Sequence, residues 1–271
     1  MPPEERHYAE DAYLRPPFVQ MYRCQNVLIE GVTITNSPFW LLHPVLSTGV
    51  TVRGVTCSSM GPNSDGCDPE SCKNVLIEEC VFDTGDDCIA IKSGRNADGR
   101  RVNVPSENII VSNCEMKAGH GGVVMGSELS GGIRNVFVEN CRMSSPDLVR
   151  GIRIKTNAMR GGGVQNLNVR DLELGTVRDL LVINFYYEEG ENGPFAPLVA
   201  GIDIRNVHCA DAERVMDVRG FEHAHIKDVV LASVTVDKAA KPSRIAHVDG
   251  LVFDSVMVNG KRVTRPEDLL S

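Results

Sequence analysis

Asn-Val-Leu-Ile-Glu-Glu-Cys-Val-Phe, at Asn74–Phe82, is the clearest copy of a motif that repeats along most of the chain. Its apolar residues alternate, pause at a two-residue polar bend and alternate again, which is the pattern of two short β-strands joined at a corner. The β-branched residues and the period of two both argue against a helix. The other copies are Asn26–Ile34, Gly49–Cys57, Asn108–Met116, Asn135–Met143, Asn166–Leu174, Gly201–Cys209, Ala224–Leu231 and Leu251–Val258.

A two-strand unit that returns every few tens of residues predicts a solenoid in which each coil stacks on the previous one. We therefore predict an all-β fold, a right-handed parallel β-helix, as a single domain over residues 1–271. Residues 1–25 are expected to be an irregular N-terminal segment with at most one short strand near Phe18–Tyr22, and residues 259–271 a C-terminal closing segment. Because an open coil needs a cap, we expect that N-terminal coils are missing before Asn26 or that a partner chain covers that end.

Charge and hydropathy exclude two classes of partner. The net charge is −8 and no basic tract is present, so we expect no nucleic-acid partner. The apolar runs are too short to span a bilayer, so we expect no membrane partner. The N-terminus shows no signal peptide, which leaves the compartment open: cytoplasmic, or secreted or periplasmic if a leader precedes this sequence. Nothing in the sequence predicts an oligomeric state.

The chain has nine cysteines, an odd number, and no Cys-x-x-Cys pair of the kind that binds zinc. Cys80, Cys114 and Cys141 occupy the same inward position of three successive copies, and Cys57 and Cys209 share another. Small apolar thiols stacked in a core are expected to be reduced. A disulfide is the alternative.

Polar residues cluster on the strand that follows the motif in each coil. Alignment of these strands places Asp65 beside Asp87 and Asp86 beside His120. Neighbouring coils lie about 4.8 Å apart, so these four side chains are predicted to share one face. Carboxylates that lie close together have divergent pKa values, which suits general acid and general base catalysis on a glycosidic bond. The alternative is that Asp86 and Asp87 form only a solvated corner and His120 only a turn.

Two cations follow on the same face. Arg153 and Lys155 alternate with inward-facing residues, so they are predicted to point outward and bind a substrate carboxylate. Lys92 is predicted either to contact substrate or to balance the charge of the aspartates. Tyr186 and Tyr187 are candidates for a sugar-stacking edge, although packing is the commoner role of strand aromatics. Less specific candidates for the same groove are Trp40, His43 and Glu128.

Four short motifs occur in order: Asn63-Ser64-Asp65, Gly85-Asp86-Asp87, Gly119-His120-Gly121 and Arg153-Ile154-Lys155. Together they resemble the motif set of glycoside hydrolase family 28, the polygalacturonase-like pectin hydrolases, from about residue 13 to the end. The resemblance implies a pectin-lyase-like β-helix that hydrolyses α-1,4-galacturonide bonds of pectin with inversion and needs no metal or other cofactor. Ser64 stands where the family usually has Thr.

The resemblance also implies a role for each matched residue. Asp86 is the general acid, Asp65 and Asp87 position and activate water, and His120 supports protonation of the acid. The galacturonate carboxylate is held by Arg153 and Lys155, and Asn63 lines the same subsite.

Three other functions remain open at this point. A rhamnogalacturonan or xylogalacturonan hydrolase would use the same motifs. A calcium-dependent pectate lyase would use the carboxylates as Ca²⁺ ligands. A solenoid that only binds carbohydrate is the third. The coil spacing itself does not predict inversion, because inverting glycosidases generally separate their carboxyl groups by ~6.5–9.5 Å.

Overall fold

A computed structural model describes residues 15–270 as a right-handed parallel β-helix, which confirms the predicted fold class. Each coil has three faces. The first face contains β2 Gln25–Glu30, β5 Thr48–Arg53, β7 Lys73–Glu78, β10 Ser106–Ser112, the starts of β13 Ile133–Met143, β15 Gly163–Asn184, β16 Leu198–Arg219 and β17 Ile226–Ala239, and β19 Val248–Asp254.

The second face follows the first corner. It contains β3 Thr33–Thr35, β6 Thr56–Ser59, β8 Val81–Thr84, β11 Glu115–Ala118, the later parts of β13, β15, β16 and β17, and β20 Val256–Val258. The third face contains β1 Val19–Tyr22, β4 Leu42–Val45, β9 Ile89–Ile91, β12 Val123–Gly126, β14 Arg150–Lys155, the ends of β15 and β16, and β18 Arg244–Ala246. The predicted N-terminal strand is thus β1, which pairs in parallel with β4. Residues 1–14, part of the predicted irregular segment, lie outside the described residues.

The motif copies stack in register along the first face. Val75 pairs with Val50 on one side and with Ile109 on the other. One copy was placed incorrectly: Val229, not Ala224, pairs with Ile202 and Leu251. The alternation around Ala224 resembles a strand, but Ala224 forms only an isolated antiparallel bridge.

Asparagine opens many copies because a bend near the start of each first-face strand requires a left-handed backbone. Asn26, Asn74, Asn108, Asn135 and Asn166 have φ values of 54°, 56°, 58°, 55° and 60°, a conformation that asparagine tolerates better than most residues. Their side chains also join successive coils: Asn108 donates to Asn74 at 3.1 Å, Asn135 to Asn108 at 3.1 Å and Asn166 to Asn135 at 2.8 Å. Each bend is therefore stabilised both by a residue that tolerates positive φ and by hydrogen bonds between asparagine side chains of successive coils.

The cysteines lie where the repeat placed them. Cys80, Cys114 and Cys141 are buried on adjacent coils at the first corner, and Cys57 and Cys209 belong to one inward row of the second face. All nine cysteines are free thiols, and all except Cys24 are buried. They pack as small apolar side chains.

Two features complete the architecture. After β20 the chain turns back as β21, Lys261–Val263, antiparallel to β20, and a 3₁₀ helix, Pro266–Leu269, buries Leu269. A short helix that the sequence did not predict, α1, spans Asn96–Val102 between β9 and β10. No helix in residues 15–270 is long and apolar enough to cross a bilayer.

Candidate active site

A cavity of about 1150 Å³ lies over the third face. Its walls come from the corners before the third-face strands and from the loops after them. Although the protein is acidic overall, eight cationic side chains line the cavity. They are Arg15, Lys92, Arg95, Arg150, Arg153, Lys155, Arg160 and Arg178. The cavity therefore concentrates positive charge around the candidate acids.

The strand register brings the candidate acids together. Cys67 pairs with Ile89, and Ile89 pairs with Val123 in β12. The first pairing places Asp65 beside Asp87. The second places Asp86 beside His120, whose backbone N–H donates to the Asp86 carbonyl at 3.0 Å. These are the neighbours that the sequence alignment predicted.

The three aspartates form a compact cluster of unequal exposure. Asp65, Asp86 and Asp87 each offer a carboxylate oxygen within 4.8 Å of the others. The side chains of Asp87 and Asp65 are 0% and 5% exposed, whereas that of Asp86 is 16% exposed. Of the three, Asp86 is therefore the carboxylate best able to touch a molecule in the cavity.

Asp86 is paired with His120. The Oδ1 atom of Asp86 lies 3.0 Å from His120 Nδ1 and accepts the Asp87 backbone N–H at 2.9 Å, while Asn63 Nδ2 lies 3.5 Å from Oδ2. Burial raises the pKa of Asp86, but the His120 hydrogen bond and charge outweigh it, and the net shift is downward. The same hydrogen bond raises the pKa of His120 above its usual value. Without substrate, the pair thus holds its proton on His120.

The negative charge of Asp87 is balanced by two nearby cations, Arg153 and Lys155. Lys155 Nζ lies 2.7 Å from Asp87 Oδ2, and Arg153 Nη1 lies 3.8 Å from Oδ1. Lys155 points away from the core, as predicted, but its side chain is only 9% exposed. The aromatic ring of Tyr187 lies 5.6 Å from the Arg153 guanidinium and 5.5 Å from the Lys155 ammonium, a cation–π arrangement. Arg153 is less tightly paired than Lys155, which leaves it freer to bind an anion.

Lys92 lies beneath Asp65. Its ammonium is 3.4 Å from Asp68, 3.2 Å from Glu128 and 3.9 Å from Asp65, and it stacks 4.5 Å from the Trp40 ring. With a side chain that is 4% exposed, Lys92 is placed to balance charge rather than to contact substrate. Of the two roles that the sequence left open, the structure favours charge balance over substrate contact.

Burial separates the pKa values of these acids. Burial raises the pKa of Asp65 to about 7 despite the opposing charge of Lys92. Burial, followed by the charge of Asp65, raises the pKa of Asp68 well above its usual value. Glu128 is also partly desolvated, but Lys92 lowers its pKa to about 2. Asp65 is thus a carboxyl group poised near neutral pH, which suits a general base.

The weaker candidates separate into two groups. Trp40, Glu128 and Tyr187 line the cavity. His43 is buried between Gln20 and Glu70, at 2.9 Å from each. The ring of Tyr186 packs edge-on against Phe221 at 5.0 Å. His43 and Tyr186 therefore have evident structural roles.

Sequence reasoning gave no role to several residues of the cavity. Asp68 lies three residues after Asp65, and that spacing between two acids was the available signal. Arg15 donates to Asn63 Oδ1 at 2.8 Å, but it lies in a segment without repeat, where no pattern indicates it. Arg150 begins β14 and Arg178 lies within β15, and only the stacking of the coils shows that both line the cavity.

The carboxylate cluster also has the spacing of a metal site. However, each carboxylate already has a protein cation beside it: Lys155 for Asp87, His120 for Asp86 and Lys92 for Asp65. A divalent cation would have to displace these partners or add to their charge. The donor set therefore fits a divalent ion poorly, and we derive no step through a metal.

Fold and site together define a class: parallel β-helix proteins that carry a carboxylate cluster and cations for an anionic ligand on one face. The family model of glycosyl hydrolases family 28 matches residues 5–245, and the chain belongs to this family. It is 42% identical to an exopolygalacturonase from Thermotoga maritima, whose crystal structure superimposes with a TM-score of 0.88 over 96% of this chain and 58% of that one.

Other relatives agree on the family. A probable polygalacturonase of Vitis vinifera is 29% identical over 88% of this chain and 50% of its own length. An endo-polygalacturonase of Pectobacterium carotovorum subsp. carotovorum is 31% identical over 66% of this chain and 43% of its own. The chain thus spans about half the length of these curated relatives.

Proposed function

We propose that the protein hydrolyses α-1,4-galacturonide bonds of polygalacturonate by general acid and general base catalysis. The observation that carries this proposal is the exposed Asp86–His120 pair, which lies beside two buried carboxylates in a cavity lined with cations. The family relationship supports the substrate class. Both exo-acting and endo-acting enzymes are among the relatives, and the proposal covers both modes of attack.

In the proposed reaction, Asp86 donates a proton to the glycosidic oxygen. Asp86 is the most exposed of the three aspartates. A general acid must first lie within hydrogen-bond distance of the atom it protonates, and its pKa is considered after that. His120 Nδ1, which holds the proton before substrate binds, is 3.0 Å from Asp86 Oδ1, so the pair supplies the proton as negative charge develops on the leaving oxygen. In this scheme His120 returns a proton to Asp86 after each turnover.

Asp65 and Asp87 have the complementary role of activating water. Asp65, with its pKa of about 7, accepts the proton, while Asp87, which Lys155 contacts at 2.7 Å, orients the water. Arg153 and Lys155 bind the carboxylate of the galacturonate, and Tyr187 and Asn63 line the same part of the cavity. The free guanidinium edge of Arg153 supplies most of this contact.

We assign inversion on the family relationship and not on spacing. The nearest carboxylate oxygens lie within 4.8 Å, which is below the ~6.5–9.5 Å typical of inverting enzymes. Nuclear magnetic resonance of the first-formed product distinguishes the outcomes: inversion gives the β anomer from an α linkage, and retention gives the α anomer.

Product analysis tests the function. Polygalacturonate, rhamnogalacturonan and xylogalacturonan are each incubated with the protein, with and without a chelator. We expect new reducing ends from polygalacturonate, no ultraviolet-absorbing unsaturated ends, and a rate that the chelator leaves unchanged. Unsaturated products that vanish with chelator would instead establish a lyase. Cleavage confined to either branched polymer would establish the related hydrolases, and binding without products a carbohydrate-binding solenoid.

The pH profile is expected to be bell-shaped. On the acidic side, kcat/KM falls as Asp65, with its pKa of about 7, becomes protonated. On the basic side, the Asp86–His120 pair loses its proton as pH rises through the raised pKa of His120. In His120→Gln, Asp86 must retain the proton alone, so the basic limb moves down by about one pH unit or more.

The matched control for this profile is His225→Gln. His225 also pairs with a carboxylate, Asp249, at 2.9 Å, but it does not line the cavity. Its profile is expected to follow that of the unsubstituted protein. A basic limb that stays in place in His120→Gln would remove His120 from the proposed proton supply.

A further inference from the structure

The cavity contains cations that the proposed function does not use. Arg150 begins β14, and Arg178 lies beside it on the next coil, where its backbone N–H donates to the Val149 carbonyl at 3.0 Å. Both side chains line the cavity. Arg150 Nη1 also donates to the His120 carbonyl at 3.2 Å, which places this pair of arginines directly next to the candidate acid.

These arginines lack matching negative charge. The buried carboxylate Asp179 is shared by three guanidinium groups: Arg214 at 2.8 Å, Arg178 at 3.0 Å and Arg150 at 4.0 Å. Arg153 stands on the same strand as Arg150 and is close enough to repel it. Burial and the charges of Arg153 and Arg178 lower the pKa of Arg150 to about 10, so it still carries its charge at neutral pH.

Such crowding of like charges is unfavourable. Like charges brought together and partly removed from water destabilise the protein unless an anion compensates them. Arg153 follows Arg150 by three positions on β14, or about 10 Å along the strand, which exceeds the width of one sugar ring. One uronate carboxylate therefore cannot contact both Arg150 and Arg153.

We propose that Arg150 and Arg178 form a second carboxylate-binding site, so that the cavity recognises two free uronate carboxylates of one chain. One carboxylate binds at Arg153 and Lys155, and the other at Arg150 and Arg178. The inference takes its substrate class from the proposed function and deepens it by naming the side chains that bind the second uronate. Methyl esterification removes the charge that this site binds.

Calorimetry with Arg178→Gln tests the site. Arg178 is the better target because its side chain is 43% exposed and Asp179 keeps Arg214 as a partner. Both the reference protein and the variant carry Asp86→Asn to prevent turnover, and the probes are trigalacturonate and its methyl ester. We expect Arg178→Gln to weaken trigalacturonate binding about 10-fold, the loss of one charge-assisted contact, and to change ester binding less than about 2-fold.

Arg170→Gln is the matched control. Arg170 is an exposed arginine that pairs with Glu139 at 2.8 Å and does not line the cavity, so its loss is expected to leave both affinities unchanged. Unchanged trigalacturonate binding in Arg178→Gln, or equal weakening of acid and ester, would overturn the second site. Absence of hydrolysis by the unsubstituted protein would overturn the proposed function but not the carboxylate site, because the binding comparison does not depend on turnover.

Discussion

Asp86→Asn is expected to lower kcat on polygalacturonate about a thousand-fold, within the ~10²–10⁴ that general acid–base catalysis contributes. Asparagine keeps the shape of the side chain but has no proton to give at its oxygen. Because Asp86 is the most exposed of the three clustered aspartates, the fold tolerates the change, and KM is expected to change little. Reducing-end assays and calorimetric unfolding of both proteins measure the two effects.

Asp237→Asn controls for the chemistry of the substitution. Asp237 is 56% exposed and pairs with His208 at 2.9 Å on the second face, as Asp86 pairs with His120 on the third. It does not line the cavity, so kcat is expected to remain within about 2-fold. If Asp86→Asn retained activity comparable to that of Asp237→Asn, Asp86 would not be the general acid.

Lys155→Met is expected to lower the free energy of unfolding by about 3–5 kcal/mol, the usual effect of removing one partner of a buried ion pair. Asp87 has a side chain that is 0% exposed and would retain only Arg153, at 3.8 Å. Methionine preserves most of the volume of lysine, so the loss reports on charge and not on packing. Urea unfolding at neutral pH measures it.

A double variant separates the ion pair from other effects. In Lys155→Met with Asp87→Asn neither charge remains, and most of the lost stability is expected to return. Lys238→Met provides an exposed control, because Lys238 pairs with Asp211 at 3.0 Å with its side chain 67% exposed, and such pairs contribute about 0–1 kcal/mol. Equal losses for Lys155→Met and Lys238→Met would contradict the burial argument.

The fold could be predicted because a parallel β-helix repeats its physical requirements in every coil. Inward valines and isoleucines recur with a period of two, and asparagine recurs where φ must be positive. The prediction failed in the copy that has neither asparagine nor glycine at this position: Asp228 precedes Val229 and has φ 55°, and Ala224 was chosen instead. Helix α1 was missed because a seven-residue helix has too few turns to show a clear period.

The site was only partly predictable for a related reason. Alternation tells which side chains point away from the core, and this was enough to align Asp65 with Asp87 and Asp86 with His120. It does not tell what lies above an outward side chain. The burial of Lys92 and Lys155 therefore came from the structure, as did the crowding of Arg150 and Arg178, which lie on separate coils.

The coil register has a practical consequence for redesign. Val75 and Ile109 remain paired across the first face although the connection between their coils contains the whole of α1. Hydrogen bonds between strands, and not the length of the intervening turns, thus set the position of each carboxylate. The loops that form the walls of the cavity can therefore be lengthened, shortened or replaced by those of a relative to alter which ligands enter. The carboxylates keep their mutual geometry when this is done.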